Sequence, residues 1–453
     1  MTEFNQIDTY LKDNLDASLE ELKKLTAQPS VAAQGWGMQE TARLVRNMLE
    51  TRGFSVQLME TNGFPVVIGE RPGKSDKTLL IYNHYDVQPP EPLELWDSPP
   101  FEPEERDGKL YGRGISDDKG HFVSRLHAID ALLDKHGELP CNLKFILEGE
   151  EEIGSVHLPD FIEEHQDLLS ADACIWEFGG IDHHDVPLQY LGLRGICYVE
   201  LRVETANKDV HSGIGGSVFP NAAWRLVWAL RTLKDTEEHI NLPGFYDPVV
   251  TPSERDIALM SELPPVREEY RNRYGVENFL KEYENETAFH VDAVFEPTCT
   301  ICGLTSGYQG AGSKTVLPAR ASAKVDFRLV PEQRPSQVLQ QLRSHLDQNG
   351  YTDIQIEFLG GGPPARTDPD DPFVDLVVRA SADVYKAPMR LVPMVGGSGP
   401  NYAFVNTLGL PVVTAGMSYP GTNAHAPNEH IRIDLYLKHA RHMARIISRF
   451  AAS

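Results

Sequence analysis

The sequence predicts an α/β protein in which a mixed, mainly parallel sheet carries helices on both faces and is interrupted by an inserted α+β domain. Two observations predict the sheet: short apolar runs recur along the 453 residues, and helix-length amphipathic segments separate them. A third predicts the insert. Between residues 188 and 364 the strand candidates change to apolar/polar alternation, the pattern of a sheet with one solvated face. Residues 1–187 and 365–453 then form the main domain and 188–364 the insert.

Taken in order, residues 1–26 read as a polar amphipathic helix. Further helices are predicted at 39–52, 120–136, 158–165 and 434–450. The buried-type strands are 78–83 (TLLIYN), 142–147, 173–176 and 411–415. Within the insert, strands at 198–204 and 322–330 accompany helices at 221–233 and 335–349. Residues 251–285 are charged and contain proline, which marks a helical excursion rather than core.

The charge balance narrows the function. Lys and Arg total 42 against 66 Asp and Glu, a formal charge of −24, which repels phosphate backbones and anionic lipid, so nucleic-acid and membrane partners are not expected. No apolar run approaches the ~20 residues that span a bilayer. The first 26 residues have neither a basic leader nor an apolar core of signal-peptide length, and the expected location is the cytoplasm. Five cysteines, an odd number thinly spread, fit a reducing compartment. Cys299 and Cys302 form a C-x-x-C without a second pair, and are expected to be two packed thiols rather than a zinc site.

Candidate chemistry stands where the buried-type strands end. The first delivers His84 with Asp86 two residues on, the second Glu148 and Glu150-Glu151-Glu152, the third Glu177, and the fourth leads through a glycine-rich loop to His425. Ligands of open α/β sheets bind outside the carboxyl ends of the strands, so these side chains are expected to converge. Taken alone, the acidic triplet fits a solvated loop as well as a cation site. Asp117 and Asp118, in the Gly112–Gly120 loop, fit helix capping as well as ligation. A carboxylate has two oxygens and can bridge two ions, a role that suits Asp117. Together, two imidazoles and three carboxylates match the ligands of Zn²⁺, with Mn²⁺ or Co²⁺ as other occupants. Asp86 is placed to accept the second N–H of His84 and fix its tautomer.

Several motifs in a fixed order carry a family resemblance. They are His84-Tyr85-Asp86-Val87-Gln88-Pro89, the Gly112–Gly120 stretch, Glu151-Glu152 before Gly154-Ser155, Asp209-Val210-His211-Ser212-Gly213, Gly396-Gly397-Ser398 and Asn423-Ala424-His425. From about residue 15 onward the chain resembles the di-zinc exopeptidases typified by carnosinase, cytosolic nonspecific dipeptidase and glutamate carboxypeptidase. That family also includes acetylornithine deacetylase and succinyl-diaminopimelate desuccinylase, and Gly192-Leu193-Arg194-Gly195-Ile196-Cys197-Tyr198 looks most like its dipeptidase branch.

The resemblance implies a zinc-exopeptidase-type catalytic domain with an inserted lid and dimerisation domain. It implies two divalent metal ions per subunit, most often Zn²⁺, one held by His84, Asp117 and Glu177 and the other by Asp117, Glu152 and His425. Glu151 is then the general base, and the Asp117-Asp118 peptide is cis. His211 is implied to reach the partner subunit's active site in a homodimer. Thr315, Arg328, Gly397 and Ser398 match substrate-binding positions, with Arg328 on a peptide's C-terminal carboxylate. Val395 departs from the pattern, since the dipeptidases carry Glu there. The implied activity is hydrolysis of small peptides with a free carboxylate. An N-acyl-amino-acid deacylase is the alternative, and a metal-stabilised scaffold without activity is a third reading, against which Glu151 stands because no metal needs it as a ligand.

Overall fold

The computed structural model describes residues 3–453. Met1 and Thr2, at the head of the helix expected over 1–26, lie outside the described residues. The rest of that span forms two helices, Glu3–Asp13 and Leu15–Ala27, broken at Asn14, whose ψ of 13° leaves the helical range. By its internal contacts the chain forms two compact units, one comprising Met1–Gly192, Arg366–Pro393 and Pro400–Ser453, the other Leu193–Ala365 and Met394–Gly399.

A six-stranded sheet organises the first unit, in the order Ser55–Met59, Val66–Arg71, Leu139–Glu148, Gly73–His84, Ala173–Trp176, Val412–Thr414. The last three junctions are parallel and the first two antiparallel. Gly73–His84 reads as a continuous apolar run near its end because both of its faces are covered. Leu79 and Ile81 pack into one core cluster with residues of Lys119–His136 and Ile433–Phe450, whereas Leu80 and Tyr82 pack into another with Leu158–Glu164 and Phe404. Neighbouring side chains on a strand point to opposite faces, so this division places helices on both sides. The edge strand Ser55–Met59 escapes the apolar-run criterion because it is largely solvated, and its neighbour Val66–Arg71 offers only the short buried run Val66 to Ile68.

The second unit is a four-stranded antiparallel sheet, Thr298–Ser306, Arg320–Leu329, Gly195–Glu204, Gln355–Gly362. Alternate residues Cys197, Val199, Leu201 and Val203, with Ala321 to Leu329 in the same phase, bury against helices Ala222–Leu233 and Pro335–Gln348. The intervening residues face outward, which explains the alternation read from the sequence. Residues 251–285 hold two short helices, Glu254–Ser261 and Arg267–Tyr274. The expected packing of both C-x-x-C thiols is corrected: Cys299 is buried, but Cys302 sits at a β-bulge in the edge strand and is exposed. Among the described residues no helix is long and apolar enough to cross a membrane.

Candidate metal centre

The sheet delivers its polar residues to one end. His84 closes strand Gly73–His84, Glu148 closes Leu139–Glu148, and Glu177 directly follows Ala173–Trp176. Glu151 and Glu152 begin a single 3₁₀ turn, Glu151–Ile153, shortly beyond Glu148. His425 arrives from a loop before His430–Arg432 and takes a left-handed conformation, φ +63°, as do Asn423 and Asn428 nearby. Non-glycine residues held there carry strain of order 1–3 kcal/mol each, and such residues gather at functional sites.

Asp117 stands at the middle. Its Oδ1 lies 3.0 Å from His84 Nε2 and its Oδ2 lies 3.0 Å from His425 Nε2, so each oxygen faces a different imidazole. His425 Nε2 is also 3.2 Å from Glu152 Oε2. Donor atoms of Asp117, Glu152 and His425 all lie within 4.8 Å of one another. The peptide bond between Asp117 and Asp118 is cis.

Electrostatics sharpen this arrangement. Burial, then repulsion from Asp117, Glu152 and Asp86, pushes Glu151 up to about 8 against the opposing pull of His84. Burial and Glu151 raise Glu177 well above the carboxylate range, and one Glu177 oxygen is buried without a hydrogen-bond partner. His84 is raised despite its burial by hydrogen bonds to Asp117 and Asp86, and Asp117 and Glu152 raise His425 to about 10. Four carboxylates with two imidazoles among them hold excess negative charge in a poorly solvated place. That donor set fits divalent cations, whose nitrogen and oxygen ligands these are.

Side chains behind the cluster hold it in place. Asp86 accepts the Glu151 and Glu152 N–H groups at 3.2 and 3.0 Å. The nearest acceptor for His84 Nδ1 is the Asp86 carbonyl at 3.0 Å, with the carboxylate at 3.4 Å. Gln88 donates to Glu152 Oε2 at 2.8 Å. Asp118 makes no helix-capping hydrogen bond; it accepts instead from the Asn83 side chain and the His84 N–H. Glu429, absent from the sequence reading, is fully buried, pairs with Arg113 at 2.7 Å and accepts the N–H groups of Gly114, Ser116 and Asp117. Its position four residues after His425 was the available signal. Glu150 and Glu148 are engaged elsewhere, with His157 and with Tyr82 and Ser155 respectively.

The remaining candidates belong to the second unit. Arg328 donates to Ser398 Oγ at 2.8 Å and lies 3.4 Å from Asp326. The Gly397 carbonyl accepts the Arg194 N–H at 2.9 Å. Val395 bridges Leu193 in a parallel pair. His211, on the exposed strand Val210–His211, accepts from the Gly213 N–H, and Thr315 is its neighbour across the Ser212 N–H.

Comparisons with known proteins point the same way. Human Beta-Ala-His dipeptidase is 35% identical over 290 residues, 62% of this chain and 55% of the human protein, so the match spans about half of that relative's length. Cys-Gly metallodipeptidase dug1 of Schizosaccharomyces pombe is 29% identical over 373 residues, 80% of this chain and 78% of that protein. The crystal structure of an M20 family metallo-carboxypeptidase, Sso-CP2 from Sulfolobus solfataricus, superposes with a TM-score of 0.92 at 37% identity, covering 96% of this chain and 99% of that one. Residues 80–449 match Peptidase family M20/M25/M40, and the chain belongs to that family.

Proposed function

We propose that this protein is a metal-dependent dipeptidase of the cytoplasm, acting as a homodimer on small peptides with a free C-terminal carboxylate. The observation that carries the reading is Asp117, whose two oxygens each face a separate imidazole at 3.0 Å. His84, Asp117 and Glu177 would hold one divalent ion, and Asp117, Glu152 and His425 the other, with Zn²⁺, Mn²⁺ or Co²⁺ as occupants. Such ions, when bound, polarise the scissile carbonyl and lower the pKa of a water from about 15.7 toward about 7.

The chain supplies the proton chemistry. Glu151 takes the proton of the attacking water and returns it to the leaving amine nitrogen as the C–N bond breaks; such acid–base groups contribute ~10² to 10⁴-fold. Asp86 fixes Glu151 through its backbone N–H. Arg328 grips the substrate carboxylate, with Thr315, Gly397 and Ser398 as the other substrate-binding residues. His211 of the partner subunit donates to the carbonyl oxygen as it gains charge. Support for self-association comes from the second unit, where Trp224 and Trp228 stack at 5.7 Å on Ala222–Leu233 and are both more than half exposed. Exposed apolar clusters of this kind mark interaction surfaces.

Rates on a dipeptide panel beside N-acetyl and N-succinyl amino acids test the reading, using chelated protein with Zn²⁺, Mn²⁺ or Co²⁺ restored singly. Dipeptide hydrolysis that returns with metal is expected. Turnover of the acylated amino acids alone would make the protein a deacylase instead.

A further inference from the structure

Arg125 is a buried charge that the proposed reaction does not use. It lies in helix Lys119–His136 and is 0% exposed, and its terminal nitrogens are taken up by uncharged oxygens. Nη1 donates to the Tyr82 carbonyl at 2.9 Å and to Asn83 Oδ1 at 2.8 Å. Nη2 donates to the carbonyl of Trp176, to that of Glu177 at 2.9 Å and to that of Ala415 at 3.3 Å. One guanidinium therefore collects the ends of three adjacent parallel strands.

The place where it does so is where the sheet opens. Pairing between Gly73–His84 and Ala173–Trp176 stops at Ile81 and Ile175, and pairing with Val412–Thr414 stops at Trp176 and Thr414. On its other side, Gly73–His84 stays paired with Leu139–Glu148 through His84. The chain leaves Gly73–His84 through helix Lys119–His136 to one neighbour, and the other neighbour, Ala173–Trp176, is added later. This is a topological switch point, the position at which open α/β sheets form a crevice. Tyr82 and Trp176 lie just past the last pair between their two strands, and the guanidinium bridges their carbonyls there. Its planar fork has donors in fixed directions, which an ammonium lacks.

Three of these five contacts lie at or within one residue of proposed ligands. Asn83 precedes His84, and Glu177 supplies one of the carbonyls itself. Asn83 also donates to Asp118, the neighbour of Asp117. Asp118 Oδ1 lies 3.0 Å from His121 Nδ1, whose other nitrogen accepts the Met417 N–H at 3.0 Å. The same network thus touches His84 and Glu177 directly or through the adjoining residue and meets Asp117 only through the side chain of its neighbour Asp118, whereas Glu152 and His425 are held by other groups.

We infer that Arg125 is a positioning residue: by spanning the open end of the sheet it sets the spacing of His84 and Glu177, and so tunes the affinity of that cation position alone. The inference rests on the proposal of two ions per subunit. It is tested by titrating metal-free protein with Co²⁺ and following visible absorption, comparing wild type, Arg125→Lys and His84→Ala. Wild type should show two binding steps, and His84→Ala identifies the step that belongs to the His84 position. Arg125→Lys keeps the charge but not the fork, and should weaken that step about 10- to 100-fold, the usual effect of losing a group that orients a ligand, while the other step stays within about threefold. Affinities unchanged at both steps, or weakened equally at both, overturn the inference. Failure of wild type to take up two ions overturns the two-ion proposal instead. Should Arg125→Lys not fold, Asn83→Ala, which removes the side-chain acceptor and the link to Asp118, is expected to give the same selective weakening, and equal or unchanged steps in that variant also overturn it.

Discussion

Glu429 accepts the backbone N–H of Asp117 at 3.1 Å across 312 positions of sequence. With the N–H groups of Gly114 and Ser116 on the same carboxylate, the loop that presents Asp117 is fixed from behind by one buried side chain. Arg113, 1% exposed, neutralises it. Removing one member of a buried pair leaves the other uncompensated, at a cost of about 3–5 kcal/mol. Glu429→Ala should therefore lower the urea midpoint by the equivalent of several kcal/mol, measured by circular dichroism, and should weaken metal uptake. A variant as stable as wild type would show that Arg113 finds another partner.

Glu151→Gln separates binding from proton transfer. The amide keeps size and hydrogen bonding but cannot accept the water's proton. A fall in kcat of ~10² to 10⁴-fold is expected, with metal content by plasma emission unchanged, since Glu151 is assigned no ligand role. Normal turnover would exclude it as the base.

Arg328→Met should reveal itself in substrate preference. A charge-assisted hydrogen bond contributes about 1.5–3 kcal/mol, so kcat/KM for a dipeptide with a free carboxylate should fall ~10- to 100-fold. The same peptide as its amide should lose much less, because it lacks the charge that Arg328 is proposed to grip. Equal losses on both substrates would point to a structural effect within the second unit.

Stability should depend on pH through histidines remote from the metal centre. His442 is fully buried, its Nε2 meets the Val377 carbonyl while its Nδ1 has no hydrogen-bond partner, and burial pushes it down to about 4. His439 is also driven well below its ordinary value by burial, with His121 and Arg125 adding to the effect. An unfolded chain binds these protons near pH 6.5 whereas the folded one does not, so the stabilisation is complete above pH 6.5 and is lost as pH falls toward 4. The loss from His442 amounts to roughly 3 kcal/mol at most. Urea midpoints at pH 7 and pH 4.5 should differ accordingly, and His442→Asn should flatten the difference.

How much of the fold and the site was legible in the sequence depended on how local the cause was. Leu79 to Tyr82 announce a strand because burial on both faces demands an unbroken apolar run, and His84, at the end of that run, stood out for the same reason. The alternation of Cys197 to Val203 announced a one-sided sheet. Ser55–Met59 did not announce itself, since at a solvated sheet edge nothing demands apolar residues. Arg125 and Glu429 were equally silent: a charge in a helix or loop is ordinarily solvated, and only tertiary contacts with strand-end carbonyls or loop N–H groups convert it into a buried one. Asp118 looked like a helix cap because it precedes Lys119–His136, yet its carboxylate is turned inward to Asn83 and His84.

The central claim is that Asp117 serves two cation positions at once, and metal stoichiometry tests it most directly. Metal-free wild type dialysed against Zn²⁺ should retain two equivalents per chain, and Asp117→Ala, at the Zn²⁺ concentration that saturates wild type, should fill neither position. An Asp117→Ala protein that still retains two tightly held equivalents would contradict the account.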